Sequence, residues 1–130
     1  MSKPEDHPLR LFDMARGANS FVSLCLSNDR PLFIAAPMIR YSKLPFRQLC
    51  RDYDVDLTYT PMMLAKEFIR HPHARYTDFS TNSFDRPIIA QFAAKDTVTL
   101  SRAAEMVFPF VDGVDLNCGC PQTWACQEGI

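Results

Sequence analysis

The sequence has no long hydrophobic run, no excess of one charge sign and neither of the two common phosphate-binding loops. No apolar stretch approaches the about 18 residues of a membrane-spanning helix, so we expect no membrane span. Fourteen basic and fifteen acidic residues give a net charge of -1, unlike a strongly basic nucleic-acid module, although RNA is still possible as a substrate. Because G-x-G-x-x-G and Walker A motifs are both missing, neither phosphate loop is indicated.

A secretory signal is also missing from the first residues, MSKPEDHPLR, which carry both charge signs and no apolar segment behind them. The five cysteines are an odd number, which favours reduced thiols over a disulfide framework. We therefore expect an intracellular protein, in the cytoplasm, with the nucleus as the second possibility.

The length and composition limit the architecture. With 130 residues, of which 47% are hydrophobic and 22% charged, the chain can form one domain with a core and is not a disordered tail. It is too short for a complete eight-fold α/β barrel, which needs about 250 residues.

From residue 31 onward, short apolar runs alternate with helical patterns. The runs at 32–36, 56–60, 87–92 and 113–117 suit buried strands, and helices are predicted at 42–53, 63–70 and 96–107. This alternation predicts βαβ crossovers and a parallel sheet. We expect residues 71–85 to form a polar loop and residues 1–30 to form a partly flexible lead-in.

The first predicted helix has a start signal and an apolar face. Ser42 is expected to cap it, and Pro45 falls in the first turn, where its missing N–H costs little. A spacing of three and four predicts one apolar face, formed by Phe46, Leu49, Cys50 and Tyr53. The basic residues around this helix are interpreted as a solvated face, with phosphate contact as the alternative; they are Arg40, Lys43, Arg47 and Arg51.

Residues able to carry chemistry follow the predicted strands, at the carboxyl ends where parallel α/β folds place their sites. Gln91 and Asn117 each offer an amide that can bind a heteroaromatic ring edge or satisfy a neighbouring backbone group. Cys120, between Gly119 and Pro121, is a candidate nucleophile, general acid or metal ligand, with a buried apolar filler as the alternative.

A zinc site is a further hypothesis, built from Cys118, Cys120, Cys126, His71 and His73. Its spacing is wrong, because zinc sites favour C-x2-4-C pairs, whereas C-x-C on a strand points its side chains to opposite faces. We therefore predict no metal.

Three motifs in this order resemble the tRNA-dihydrouridine synthases. Ala36-Pro37-Met38, followed by Ser42 and Pro45-Phe46-Arg47, is similar to the family's opening signature. The run at 87–92 resembles its flavin-contacting strand, and residues 115–121 resemble its N-x-G-C-P active-site motif. Residues 39–44 and 117–122 are similar to the eukaryotic dihydrouridine synthase 4-like subfamily in particular. The resemblance covers about residues 31–130.

The resemblance implies an α/β fold that is the N-terminal half, about four βα units, of a TIM barrel carrying FMN. Residues 31–130 would form this half, without the C-terminal half and the helical tRNA-binding domain. By motif position, Pro37, Met38 and Ile39 would lie against the flavin and Gln91 would bind its isoalloxazine edge. Asn117 would face the flavin and the target uracil, and Cys120 would donate a proton.

The activity implied by the resemblance is reduction of the C5=C6 bond of uridine in the D-loop of tRNA, at positions 20a and 20b by subfamily. NADPH would be the reductant, with hydride passing from flavin N5 to C6 and a proton from Cys120 to C5. Two alternatives are another flavin-dependent barrel, such as a dihydroorotate-dehydrogenase-like protein, and a non-enzymatic truncated isoform. We expect a half-barrel to be inactive alone. Its oligomeric state is left open.

Overall fold

A computed structural model describes residues 31–130, which form one parallel sheet with helices after β1, β3, β4 and β5. The predicted lead-in at residues 1–30 lies outside the described residues. The strands are β1 (Ile34–Ala35), β2 (Leu57–Tyr59), β3 (Met63–Leu64), β4 (Ile88–Ala93) and β5 (Gly113–Leu116). The helices are α1 (Leu44–Asp52), α2 (Ala65–Arg70), α3 (Pro72–Asp78), α4 (Thr97–Val107) and α5 (Thr123–Glu128), with a 3-10 turn at Phe108–Phe110.

All strand pairs are parallel, and the sheet runs from β1 through β2 and β3, which share one edge of β4, to β5. Strand β1 pairs with β2, and β2 pairs with the first half of β4, where Thr58 lies opposite Ile88. Strand β3 continues the line of β2 and pairs with the second half of β4, while β5 pairs along the other edge. This is the connectivity of a partial TIM barrel, so the predicted α/β fold with parallel strands is confirmed.

Strand β4 is the centre of the described structure, because all six of its residues are buried. Ile88, Ala90 and Phe92 alternate along the strand and join the core formed with α2 and α4. The ring of Phe68 in α2 meets Phe92 edge-on, with 5.3 Å between the ring centroids. The opposite face of β4 carries Gln91 toward the barrel interior.

The second βα unit differs from the prediction. Residues 63–64 form a short strand before α2, and part of the predicted polar loop forms the extra helix α3. Pro72 begins α3 at a position where no backbone N–H is required. The Arg75 guanidinium then donates to the backbone oxygens of Phe68 and Ile69, at 2.8 and 3.1 Å, which fastens α3 to the end of α2.

The predicted capping of α1 is only partly correct. Pro45 does lie in its first turn, but the residue at the cap position is Lys43, whose side chain makes no capping bond. The predicted apolar face is wrong, because Leu49 and Tyr53 are 52% and 78% exposed. The helix instead buries the guanidinium of Arg47, which is only 1% exposed.

Arg47 is buried because it meets a buried carboxylate. Its Nη2 lies 2.6 Å from Oδ2 of Asp85, and its Nε donates to both oxygens of the same group, at 3.3 and 3.1 Å. The guanidinium also donates to the backbone oxygens of Ser42 and Ser80, each at 2.6 Å. Thr81 adds a hydroxyl donor to the carboxylate at 3.1 Å. A buried charge needs such partners to offset its desolvation.

Arg51, one turn later in α1, joins the same cluster. Its Nη2 lies 3.5 Å from Oδ1 of Asp85 and donates to Thr58 Oγ1 and the Pro87 oxygen, at 2.8 and 2.7 Å. Burial lowers the pKa of the Arg51 guanidinium, and the Asp85 carboxylate opposes this shift. The interpretation of Arg47 and Arg51 as a solvated or phosphate-binding face is therefore wrong; they hold α1 against the segment entering β4.

Replacing Arg47 by Met should lower the free energy of unfolding by about 3–5 kcal/mol, because it leaves the buried Asp85 carboxylate without its main partner. The exposed Arg102→Met variant is the control and should change stability by no more than about 0.5 kcal/mol. Urea unfolding followed by circular dichroism measures both. Equal losses in the two variants would show that the ion pair does not stabilise the fold.

Candidate active site

The structure brings the predicted site residues to one edge of the sheet. Pro37, Met38 and Ile39 follow β1, Gln91 lies within β4, and Asn117 follows β5. Because the strands are parallel, the residues after β1 and β5 lie at the same edge of the sheet, and Gln91 lies in the half of β4 nearest that edge. Met38 and Ile39 are 37% and 39% exposed there, so their apolar side chains can meet a ligand.

Gln91 is the buried polar side chain of this edge. Its position in β4 is paired in register with Asp115 of β5, and its Nε2 donates to Asp115 Oδ2 at 2.7 Å. Its Oε1 faces the Nδ2 of Asn117 at 3.5 Å. Its backbone N–H donates to Thr60 Oγ1 at 3.0 Å. Strand β5 and the residue after it therefore hold both ends of the Gln91 amide, and Thr60 holds its backbone N–H.

Asn117 shapes the turn that leads from β5 to Cys120. Its backbone N–H donates to the oxygen of Phe92 at 2.8 Å, which extends the β4–β5 ladder by one bond. Its Oδ1 accepts from the N–H of Gly119 at 3.0 Å. The amide that faces Gln91 is thus fixed to the turn that carries the cysteine.

Cys120 is half-buried, and within the described part of the chain its thiol makes no hydrogen bond. Gly119 before it lies in open space, since an added Cβ would meet no atom within 4 Å. The neighbouring Cys118 is exposed, with its sulfur 3.6 Å from the backbone oxygen of Leu116. Cys120 is therefore a free thiol beside open space at the end of β5.

Among residues 31–130, no group of three or more His, Cys, Asp or Glu is arranged to hold a metal ion.

Ser42 holds the loop after β1 instead of capping α1. Its buried hydroxyl accepts from the N–H of Met38 at 3.0 Å and donates to the Met38 oxygen at 3.1 Å. Its own backbone oxygen accepts from Arg47, as described above. The main chain of Met38 is thus connected through one serine to the buried Arg47–Asp85 pair.

Two further residues lie at this edge without having been predicted as site residues, Asp115 and Tyr59. Burial, together with the negative charge of Asp115, raises the pKa of Tyr59, so its hydroxyl stays protonated at neutral pH. The missed signal is the period of two along a strand, which puts Gly113, Asp115 and Asn117 on the same face. Asp115 belongs to the motif at residues 115–121. Its partner, Gln91, follows only from the register between β4 and β5.

A cavity of about 710 Å³ lies between α2, α4 and α5. None of the predicted site residues lines it, because they occupy the open edge of the sheet. Trp124 lies in its wall, together with four basic residues that we call the basic groove: Lys66, Arg70, Lys95 and Arg102. Three acidic residues, Glu67, Asp96 and Glu128, line the same cavity. Within residues 31–130, no helix is long and apolar enough to cross a membrane.

The sequence of this chain is similar to those of several curated proteins. The tRNA-dihydrouridine(20a/20b) synthase of Schizosaccharomyces pombe, whose name specifies NAD(P)+, is 56% identical over 123 residues, which are 95% of this chain and 34% of that protein. The Saccharomyces cerevisiae protein of the same name is 52% identical over 104 residues, 80% of this chain and 28% of that protein. A human tRNA-dihydrouridine(20a/20b) synthase-like protein is 54% identical over 96 residues, 74% and 30% of the two chains.

The chain thus spans about a third of the length of the curated relatives it matches. The model of the family described as dihydrouridine synthase (Dus) matches residues 34–130, which include every predicted site residue and nearly all of the described structure. The resemblance seen in the three motifs is confirmed: the chain belongs to the dihydrouridine synthase family.

Proposed function

We propose that this chain carries part of the active site of a tRNA-dihydrouridine synthase that acts at positions 20a and 20b and uses NAD(P)H. The observation that carries the proposal is the bonded set of Gln91, Asp115 and Asn117, with the free thiol of Cys120 just beyond it. The relatives' names supply the tRNA, the two positions and the NAD(P)+. An intracellular location stays a prediction.

FMN is the cofactor that we propose for this edge, because the residues present fit a flavin ring. The exposed parts of Met38 and Ile39 offer an apolar surface on a loop that Ser42 holds in place. The amide of Gln91 can donate a hydrogen bond to a carbonyl oxygen on the pyrimidine edge of a flavin. We therefore assign Pro37, Met38 and Ile39 to the flavin face and Gln91 to its edge. When bound, FMN supplies the hydride.

The substrate chemistry explains why a thiol is needed. The C5=C6 bond of uracil is conjugated to the C4 carbonyl, so addition of hydride at C6 leaves negative charge toward that oxygen and a carbon at C5 that needs a proton. We assign this proton to Cys120, because an ordinary thiol is protonated at neutral pH and can act as a general acid. Asn117 would hold the uracil beside it. The base must leave its stack to reach such a site.

The basic groove supports an RNA substrate. Its four cations line one cavity next to α5, the helix that follows the Cys120 turn. Trp124 of α5, 37% exposed, offers a ring on which a base can stack. Because Glu67, Asp96 and Glu128 line the same cavity, its four cations exceed its anions by only one charge. RNA would therefore be held by individual contacts between these cations and phosphates.

Replacing Cys120 by Ala should slow uridine reduction about 100- to 10,000-fold, because the general acid is lost. The test uses a chimera in which this chain replaces the matching segment of the Schizosaccharomyces pombe relative. Dihydrouridine formed in a single turnover with tRNA is the measurement, and NADPH oxidation without tRNA should be unchanged. The exposed neighbour Cys118→Ala is the matched control. Reduction at the wild-type rate by Cys120→Ala would show that another group donates the proton.

The double variant Lys66→Glu, Arg70→Glu in the chimera should bind tRNA more weakly and with a less steep dependence on salt, since fewer counterions are released. The control is Lys43→Glu, which changes the same charge outside the basic groove. Filter binding at several salt concentrations measures both. If the control and the double variant lose the same affinity per charge, the groove is not the contact site.

In isolation, this chain should bind FMN weakly or not at all. The outer strands expose apolar side chains that a closed barrel would cover, namely Phe33, Ile34, Val114 and Leu116. Quenching of FMN fluorescence measures the affinity, with the chimera as the positive control. Stoichiometric FMN in the purified chain would contradict this expectation.

A further inference from the structure

We infer that Asp115 is a positioning residue that fixes which end of the Gln91 amide faces the ligand. Asp115 lies in β5, directly opposite Gln91, and accepts from its Nε2 at 2.7 Å. An ionised carboxylate can only accept hydrogen bonds, so the nitrogen end of Gln91 must point to it. The oxygen end then points the other way, toward Asn117.

The second amide is fixed from the opposite end. The main-chain N–H of Gly119 can only donate, and it donates to Oδ1 of Asn117 at 3.0 Å. The nitrogen of Asn117 therefore faces Gln91 Oε1, at 3.5 Å. Three bonds thus run in one direction, from Gly119 through Asn117 and Gln91 to Asp115. Neither end group can reverse its role, so neither amide can flip without losing a bond.

This arrangement determines what the site presents to a ligand. Each amide nitrogen has two hydrogens, and the chain of bonds uses one from Gln91 and one from Asn117. Within residues 31–130 the second N–H of each amide has no partner, so one donor of each is left for a ligand. The site therefore offers two oriented donors, which suit carbonyl oxygens such as those of a flavin ring and of uracil.

The consequence for FMN rests on the proposed function, but the orientation of the amides does not. In the chimera, Asp115→Ala should weaken FMN binding about tenfold, the order of one hydrogen bond to a charged group. Asp115→Asn keeps the shape but can also donate, so it should fall between wild type and Asp115→Ala. Glu105→Gln, which removes an exposed charge on α4, is the control and should bind FMN as the wild type does.

A double-mutant cycle separates positioning from a general loss of structure. In a Gln91→Ala background, Asp115→Ala should weaken FMN binding less than about twofold, because the amide it orients is gone. Thermal unfolding identifies a temperature at which all variants are folded, and the titrations are made there. Full additivity of the two substitutions would overturn the inference.

Side-chain amide signals of the flavin-free protein test the orientation by itself. With 15N-labelled glutamine, one Nε2 proton of Gln91 should lie downfield, and Asp115→Ala should remove this shift while Glu105→Gln keeps it. A shift that survives Asp115→Ala would contradict the inference. A wild-type chimera with the expected signal but no FMN binding would refute the proposed cofactor and leave the orientation confirmed.

Discussion

Strand β4 has neighbours on both edges and buried side chains on both faces, and this constraint shapes the rest of the described structure. A polar side chain in such a strand must find its hydrogen bonds inside the sheet, since a buried amide left without partners costs about 1–3 kcal/mol. Gln91 is that side chain, and its partners come from the adjacent strand and the turn after it. The requirement for a stable strand and the geometry of the site are therefore met by the same bonds.

The other half of the site depends on a different anchor. Strand β1 is only two residues long, so its few hydrogen bonds to β2 do little to fix the loop that follows it. Ser42 holds both main-chain polar groups of Met38, and Arg47 holds Ser42 from the buried cluster around Asp85. A charge pair beneath the sheet edge thus fixes the apolar surface that we assign to the flavin.

Much of the fold could be predicted because short apolar runs and helical spacing are local signals. The strands near residues 34, 57, 88 and 113 and the helix predicted at 96–107, which is observed as α4 at Thr97–Val107, were readable in this way. The burial of Arg47 was not, since its partner Asp85 lies 38 residues away in sequence. The role of Asp115 was missed for the same reason, because it follows from strand register. The roles of Cys120 and of Pro37 to Ile39 stay predictions.

The link from Asp85 through Arg47 and Ser42 to Met38 has a consequence for how natural variants of this chain should be understood. On the sequence, a change at Arg47 looks like the loss of one surface charge from a helix. In the molecule it removes the anchor of the loop that we assign to the flavin. Under the proposed function, such variants would lower the stability of the fold and the affinity for the cofactor together.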